Sequence, residues 1–431
     1  MFNIKYNFLV IVQIIVGILN SALLIRTFGV SVNSDAYFLA LSIYTVLCLV
    51  ILMPIEQFMQ FYNELKVCSL KKSHEFYNCS LILSFFIGIL FFIIFNCGLN
   101  IIIKVFTFNI DAQRFIILKQ LLWIMTIGAV FYPVNAINER LFNAEMRFSI
   151  PYILSIIPTT LVVAAQLILI LKNSNNIFYL AYAQSFGMFL IALIGTLYIT
   201  IIRFRWKAKC NDYIKKYVIN SIFIQFGNSF WTITIPIIFN NFLVTFPQGY
   251  ISYFYYAKKI IDIINNFTIG PSKNILRSKI SKFIAKKDVD LINKNSSHFI
   301  LFGSIIFTIA VVIAYFSQGF ILTLIAGNKL SQYDLTRIAM LFLSLCPWYF
   351  VIFGEYPYVC INTQAKRGKT ILIINIIFVV VFAVLLKIFH DFLGIYSIGI
   401  SAFLAQIINL LNHRYIAKNI LQKIKVSAIN S

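Results

Sequence analysis

The chain has 431 residues, 60% of them hydrophobic and 12% charged, with 36 Lys and Arg against 14 Asp and Glu for a net charge of +22; its mean hydropathy is +0.87. A soluble domain carries about 25% charged residues, so this composition excludes a cytosolic enzyme, a nucleic-acid-binding domain and a disordered chain. It leaves an all-α polytopic membrane protein, because only helices and closed barrels satisfy their backbone in lipid, and the apolar runs here are continuous, not alternating.

Twelve apolar windows follow one another, at 8–25, 36–61, 77–103, 115–137, 150–171, 177–202, 217–243, 250–270, 297–324, 335–361, 370–389 and 393–412. Each is near the ~20 residues that cross a bilayer. The first run lacks a small-residue cleavage site and reads as a retained helix. With the N-terminus in the cytoplasm, 26 of the 36 basic residues fall on inner segments and 8 on outer ones. That alternation places both termini inside. The same loops account for the net charge through anionic headgroups, without nucleic acid. Seven cysteines form no CxxC pair and read as apolar filling, and four histidines stand far apart, so no metal centre is expected. No GxxxxGK[ST] motif is present, so ATP does not drive the protein.

The chain repeats itself. Pro54-Ile55-Glu56-Gln57 falls on Pro271-Ser272-Lys273-Asn274, and Tyr37-Phe38-Leu39-Ala40 on Phe254-Tyr255-Tyr256-Ala257, both at a lag of 217 residues. Asn143-Ala144-Glu145-Met146-Arg147 falls near Asn362-Thr363-Gln364-Ala365-Lys366 at a lag of 219. Six helices separate the copies, an even number, so the repeat is parallel. Residues 1–202 are expected to form an N-lobe and 217–431 a C-lobe, joined by a basic cytoplasmic linker at 203–216. Substrate would then lie between lobes that rock against one another.

Ionisable residues inside spans are functional candidates by default. The eighth span holds Tyr255-Tyr256-Ala257-Lys258-Lys259-Ile260-Ile261-Asp262. Asp262 reaches either lysine on one helix face, yet one carboxylate cannot neutralise two ammoniums, so the cluster suits an anion. Span seven carries Ser221, Gln225, Asn228 and Thr232 on one face. Glu56 and Gln57 beside Pro54 are further candidates, as is Glu355 in span ten. Asp288-Val289-Asp290 matches the DxD of glycosyltransferases but reads as a solvated loop in a Lys- and Asn-rich stretch.

Leu24-Ile25-Arg26-Thr27-Phe28-Gly29, followed by Ser34-Asp35-Ala36-Tyr37-Phe38-Leu39-Ala40, resembles the MurJ-type lipid II flippases, as do Asn143-Ala144-Glu145-Met146-Arg147-Phe148-Ser149-Ile150-Pro151 and Tyr255-Tyr256-Ala257-Lys258-Lys259. The wider superfamily of multidrug and oligosaccharidyl-lipid exporters shares a twelve-helix, two-lobe core. The resemblance implies transfer of an undecaprenyl-pyrophosphate-linked saccharide across the bacterial inner membrane by alternating access. Arg26 and Asp35 would sit at the outer end of the first helix pair, and Lys259 would take the place of a pyrophosphate-facing arginine. The family carries further arginines where Ile14, Asn20 and Cys48 stand here, and two extra C-terminal helices. The expected partners are a lipid-linked anionic saccharide, membrane lipids and other envelope-biosynthesis proteins. No cofactor is expected beyond a coupling ion or the membrane potential. The alternatives are a Wzx-type polysaccharide repeat-unit flippase, a multidrug exporter, and a membrane-embedded glycosyltransferase.

Overall fold

A computed structural model describes residues 4–55, 58–145, 147, 149–203, 213–285, 287–326, 330–365 and 367–429. All regular structure among the described residues is helical. The helices are α1 Ile4–Phe28, α2 Val32–Leu52, α3 Phe58–Cys68, α4 Leu70–Cys97, α5 Leu99–Phe106, α6 Ala112–Ala129, α7 Tyr132–Ala144, α8 Ser149–Leu171 and α9 Phe178–Arg203. They continue with α10 Tyr213–Leu243, α11 Tyr250–Ala285, α12 Val289–Ala326, α13 Gln332–Gln364, α14 Gly368–Leu393 and α15 Ser397–Ile429. Every expected span is helical, but three are broken. Pro54 sits in a single 3₁₀ turn, Met53–Ile55, between α2 and α3. Gly98 separates α4 from α5. The fourth span bends by 42° between α6 and α7, where Pro133 opens the second helix.

Seven stretches are long and apolar enough to cross a membrane among the described residues, or eight with the bent pair; one of them, Lys369–Val426, holds both α14 and α15. The surface is apolar in the manner lipid requires. On α12, Phe302, Ile305, Ile309, Ile313 and Phe316 are all exposed, a stripe that in water would be an aggregation site and in a bilayer meets acyl chains. The interior conversely buries Asn78, Asn138, Gln166, Asn362 and Gln406. Among the described residues five cysteines are free; Cys79 departs from the reading of the cysteines as apolar filling, being disulfide-bonded.

Two compact units emerge, 1–229 with 240–249 and 230–239 with 250–431. Most of the 203–216 segment, the lobe boundary expected from the sequence, lies outside the described residues. Within the first unit α2 packs on α6, α6 on α9, α1 on α8 and α8 on α9. Within the second, α11 packs on α13, α13 on α15 and α14 on α15, and Phe239 of α10 meets Phe382 of α14 at 5.4 Å between ring centroids. The packing order of spans 2, 4 and 6 in one unit thus repeats as that of spans 8, 10 and 12 in the other. That is the two-lobe, twelve-span architecture of a parallel repeat.

The repeat extends to single residues. A Cβ on Gly128 of α6 would lie 2.7 Å from Ser185 Cα of α9, and one on Gly399 of α15 would lie 2.2 Å from the Ser344 carbonyl oxygen of α13. Gly128 and Ser344 stand 216 residues apart, and Ser185 and Gly399 stand 214 apart. The same helix crossing is closed in each unit by one glycine and one serine with their sides exchanged, as membrane helices without a hydrophobic driving force require small residues at contact. Gly399→Ala is therefore expected to lower the melting temperature in detergent, since overpacking costs about 1–3 kcal/mol. Gly17→Ala, with nothing within 4 Å, serves as the neutral comparison. Equal melting of the two variants would contradict the close crossing.

Candidate functional site

The cationic cluster is built on α11 and α13 of the second unit. Gly249, at φ +93°, supplies the left-handed turn from which α11 starts. Lys258 and Asp262 then fall one turn apart on the same face. Lys258 Nζ lies 2.5 Å from Asp262 Oδ2, and Tyr349 of α13 donates its hydroxyl to Asp262 Oδ1 at 2.5 Å. Both carboxylate oxygens are engaged. The ion pair takes Lys258, and none to Lys259 appears among the described residues. Two ammoniums and one carboxylate leave a formal surplus of one positive charge, carried at Lys259. The Lys258 and Asp262 side chains keep 29% and 33% of their surface exposed.

The second candidate region is the turn between α1 and α2. Gly29, at φ +56°, ends α1. Ser31 caps α2 in a reciprocal pair with Ser34: each serine oxygen accepts the other's backbone N–H, at 3.3 and 2.9 Å. Asp35 follows in the first turn, where the helix dipole favours a carboxylate. It is fully buried and accepts the Gly249 N–H at 2.7 Å. Arg114 Nη1 stands 3.8 Å from its Oδ2 and also pairs with Asp111, the N-cap of α6. Partial burial pushes the Asp111 carboxyl up, but the Arg114 N–H and guanidinium outweigh it and hold it below the usual carboxylate range. Arg26, on the last turn of α1, is exposed. Asp35 is thus engaged by Arg114 and Gly249, whereas Arg26 is exposed. Sequence reasoning did not pair Asp35 with Arg114, 79 residues away, because no local spacing encodes that contact.

Gln57 and Glu56 lie outside the described residues, as do the side chains of Ser221, Gln225 and Asn228 on α10; Thr232 is half-buried. Asp288 of the DxD accepts the Leu291 N–H at 3.0 Å, which caps α12. Its spacing is that of a helix start. Glu355 stands apart from the lysine cluster, buried on the side of α13 that faces α15.

At Asn20, one of the positions where the lipid II flippases carry arginine, the side chain accepts a hydrogen bond from Gln166 of α8 at 3.1 Å. A neutral interhelical contact occupies that place.

The family described as "Lipid II flippase MurJ" matches residues 24–430. Among solved structures, a lipid II flippase MurJ in an inward closed conformation superposes with a TM-score of 0.78 at 18% identity, covering 99% of this chain and 91% of that one. An inward-facing multidrug resistance MATE family transporter of the MOP superfamily also reaches 0.78, at 14% identity and 97% and 99% coverage. An outward-facing one reaches 0.72, at 13% identity and 98% and 96% coverage. No curated protein matches the chain in sequence.

Proposed function

The chain belongs to the lipid II flippase MurJ family, and we propose that it moves an undecaprenyl-pyrophosphate-linked saccharide, lipid II or a related lipid-linked oligosaccharide, from the inner to the outer leaflet of the bacterial inner membrane. The observation that supports this reading is the surplus cation of the Lys258, Lys259 and Asp262 cluster on α11, where Lys258 and Asp262 are partly exposed. A charge held there without a ligand is expensive, and pyrophosphate supplies the compensating charge through short charge-assisted bonds. Lys259 is the direct contact; Lys258 is held by Asp262 until the headgroup competes for it. Arg26 meets the headgroup at the outer end, and Gln57, Gln225 and Asn228 contact the saccharide. The lipid tail stays in the bilayer while the two lobes, divided at the 203–216 segment, alternate access to the headgroup.

A multidrug exporter has the same fold, but cationic drugs are recognised by exposed carboxylates, and the clearest intramembrane cluster here is net positive. Purified protein in liposomes is expected to equilibrate a pyrophosphate-linked lipid saccharide between leaflets without sugar-nucleotide turnover. Efflux of cationic dyes with no lipid transfer would favour the exporter. Comparison of lipid II with other undecaprenyl-pyrophosphate glycans separates the lipid II and Wzx-type readings.

Orientation has its own test. In whole cells lacking other reactive thiols, Lys423→Cys at the end of α15 is expected to resist an impermeant thiol reagent, and Lys172→Cys after α8 is expected to react. The reverse pattern would overturn the cytoplasmic termini.

A further inference from the structure

Glu355 lies in a sealed polar network between α13 and α15 that the flipping mechanism does not use. Glu355, Asn362, Gln406, Asn409 and His413 are each at least nine-tenths buried. The orientations of Gln406, Asn362 and His413 are fixed from the ends of the network. Trp348 Nε1, a donor only, gives its hydrogen to Gln406 Oε1 at 3.1 Å, so Gln406 turns its amide nitrogen to Glu355 Oε2. At the other end the His413 carbonyl, an acceptor only, takes Asn362 Nδ2 at 3.1 Å. The same amide nitrogen stands 3.0 Å from His413 Nδ1, which must therefore accept. The imidazole proton then sits on Nε2, 3.5 Å from Glu355 Oε1, where Asn409 Nδ2 also approaches at 2.6 Å.

The carboxylate is thus met by three neutral donors and no cation. The groups on every neighbouring helix leave it so. On α11, Lys258 is paired to Asp262 beside Tyr349, and Lys273 lies over the Tyr356 ring at 5.1 Å, with Arg277 acting on Tyr356 and Cys360. From α12 the Phe299 and Phe307 rings pack against Phe353. His413 is the titratable group from α15, and α14 contributes the neutral Asn375 to the buried set.

The internal repeat provides a control. The residue 217 before Glu355 is Asn138, buried at the matching crossing. It accepts from Tyr77 Oη at 2.7 Å and donates to Thr196 at 3.1 Å. A neutral amide closes that crossing in the first unit, so the fold does not need a charge there. In the second unit Asn362 and Asn409 each keep an amide oxygen that is buried and has no hydrogen-bond partner, which marks a network incomplete as it stands.

We propose that Glu355 is a proton-binding site, with the proton taken on Oε1 facing Asn409 and His413. The balance is one carboxylate and one proton giving one neutral carboxyl. Once protonated, Oε1 becomes a donor, and a turn of the Asn409 amide presents its unpartnered oxygen to accept it. Gain of the proton replaces charge-assisted bonds between α13 and α15 by neutral ones, which are weaker. Pro347 and Pro357 bracket this part of α13 and remove two backbone hydrogen bonds from it. Tyr349, which holds Asp262, lies on the same segment. Protonation is thereby linked to the lysine cluster through one helix; this link, unlike the proton site, rests on the flippase reading.

Infrared difference spectra of the purified full-length protein between high and low pH test the site. A protonated-carboxyl band is expected that is lost in Glu355→Gln and unaffected by Na⁺ at fixed pH. Asn409→Ala and His413→Gln retain the carboxyl and are expected to shift the band's pH midpoint, which keeps the test open if Glu355→Gln folds poorly. A band that survives in Glu355→Gln, that Na⁺ abolishes, or that neither neighbour shifts would overturn the proposal. In liposomes with an imposed pH gradient, loss of the gradient response in Glu355→Gln is expected, and a response equal to wild type would overturn the link. Wild-type protein that shows the band but transfers no lipid would overturn the flippase reading and leave the proton site standing.

Discussion

Replacing Lys258 and Lys259 together with alanine is expected to abolish support of a strain depleted of its own flippase, with protein level and membrane insertion unchanged. The charge ledger sets the direction. Asp262 already receives Lys258 and the Tyr349 hydroxyl on its two oxygens. Removing both ammoniums turns a net cation into a net anion, which repels pyrophosphate. Lys259→Ala alone is expected to slow flipping about 10–100-fold, the equivalent of a lost charge-assisted hydrogen bond of about 1.5–3 kcal/mol. Lys259→Arg retains part of the rate because arginine also binds phosphate, though with a planar fork in place of a point charge. Asp262→Asn is expected to be milder, since it removes the lysines' competitor. Full activity of the double alanine variant would remove the headgroup site from α11.

The largest expected loss of stability lies at the turn between α1 and α2. Asp35→Ala leaves the Gly249 N–H buried without its acceptor and removes the carboxylate 3.8 Å from Arg114 Nη1. An orphaned buried donor costs about 1–3 kcal/mol, and the buried guanidinium loses a nearby opposite charge. A melting temperature several degrees lower is expected in detergent. Asp35→Asn keeps an acceptor for Gly249 and should fall between. Arg114 retains Asp111, so Arg114→Gln combined with Asp35→Asn is expected to melt above the sum of the two single losses, as coupled neighbours do. Strict additivity would mean that Asp35 and Arg114 do not interact, and wild-type melting of Asp35→Ala would contradict the buried latch altogether.

The sequence makes the membrane spans legible because apolar length is a local property, and hides what depends on distant contacts. The windows find where α11 and α12 are apolar, but those helices run for 36 and 38 residues. Their polar extensions leave the hydrophobic signal without leaving the helix. Pro54 announces the break after α2 through its own ring. The bend between α6 and α7 is not announced in the same way, since Pro133 at a helix start is compatible with a straight or a bent join. Within α11, the i, i+4 spacing of Lys258 and Asp262 is readable. That Tyr349 occupies the other Asp262 oxygen is not, because it comes from a helix 87 residues further on. The repeat was the one long-range signal available. Extended to Asn138 and Glu355, its 217-residue lag would have shown a carboxyl standing where the other half has an amide.

Recognition of pyrophosphate by the surplus cation on α11 is tested by comparing, in liposomes containing wild-type protein or Lys259→Ala, the transfer of an undecaprenyl-pyrophosphate saccharide with that of the same saccharide on a monophosphate. Wild type is expected to prefer the pyrophosphate lipid, and Lys259→Ala is expected to lose this preference. A preference of equal size in both proteins would contradict such recognition.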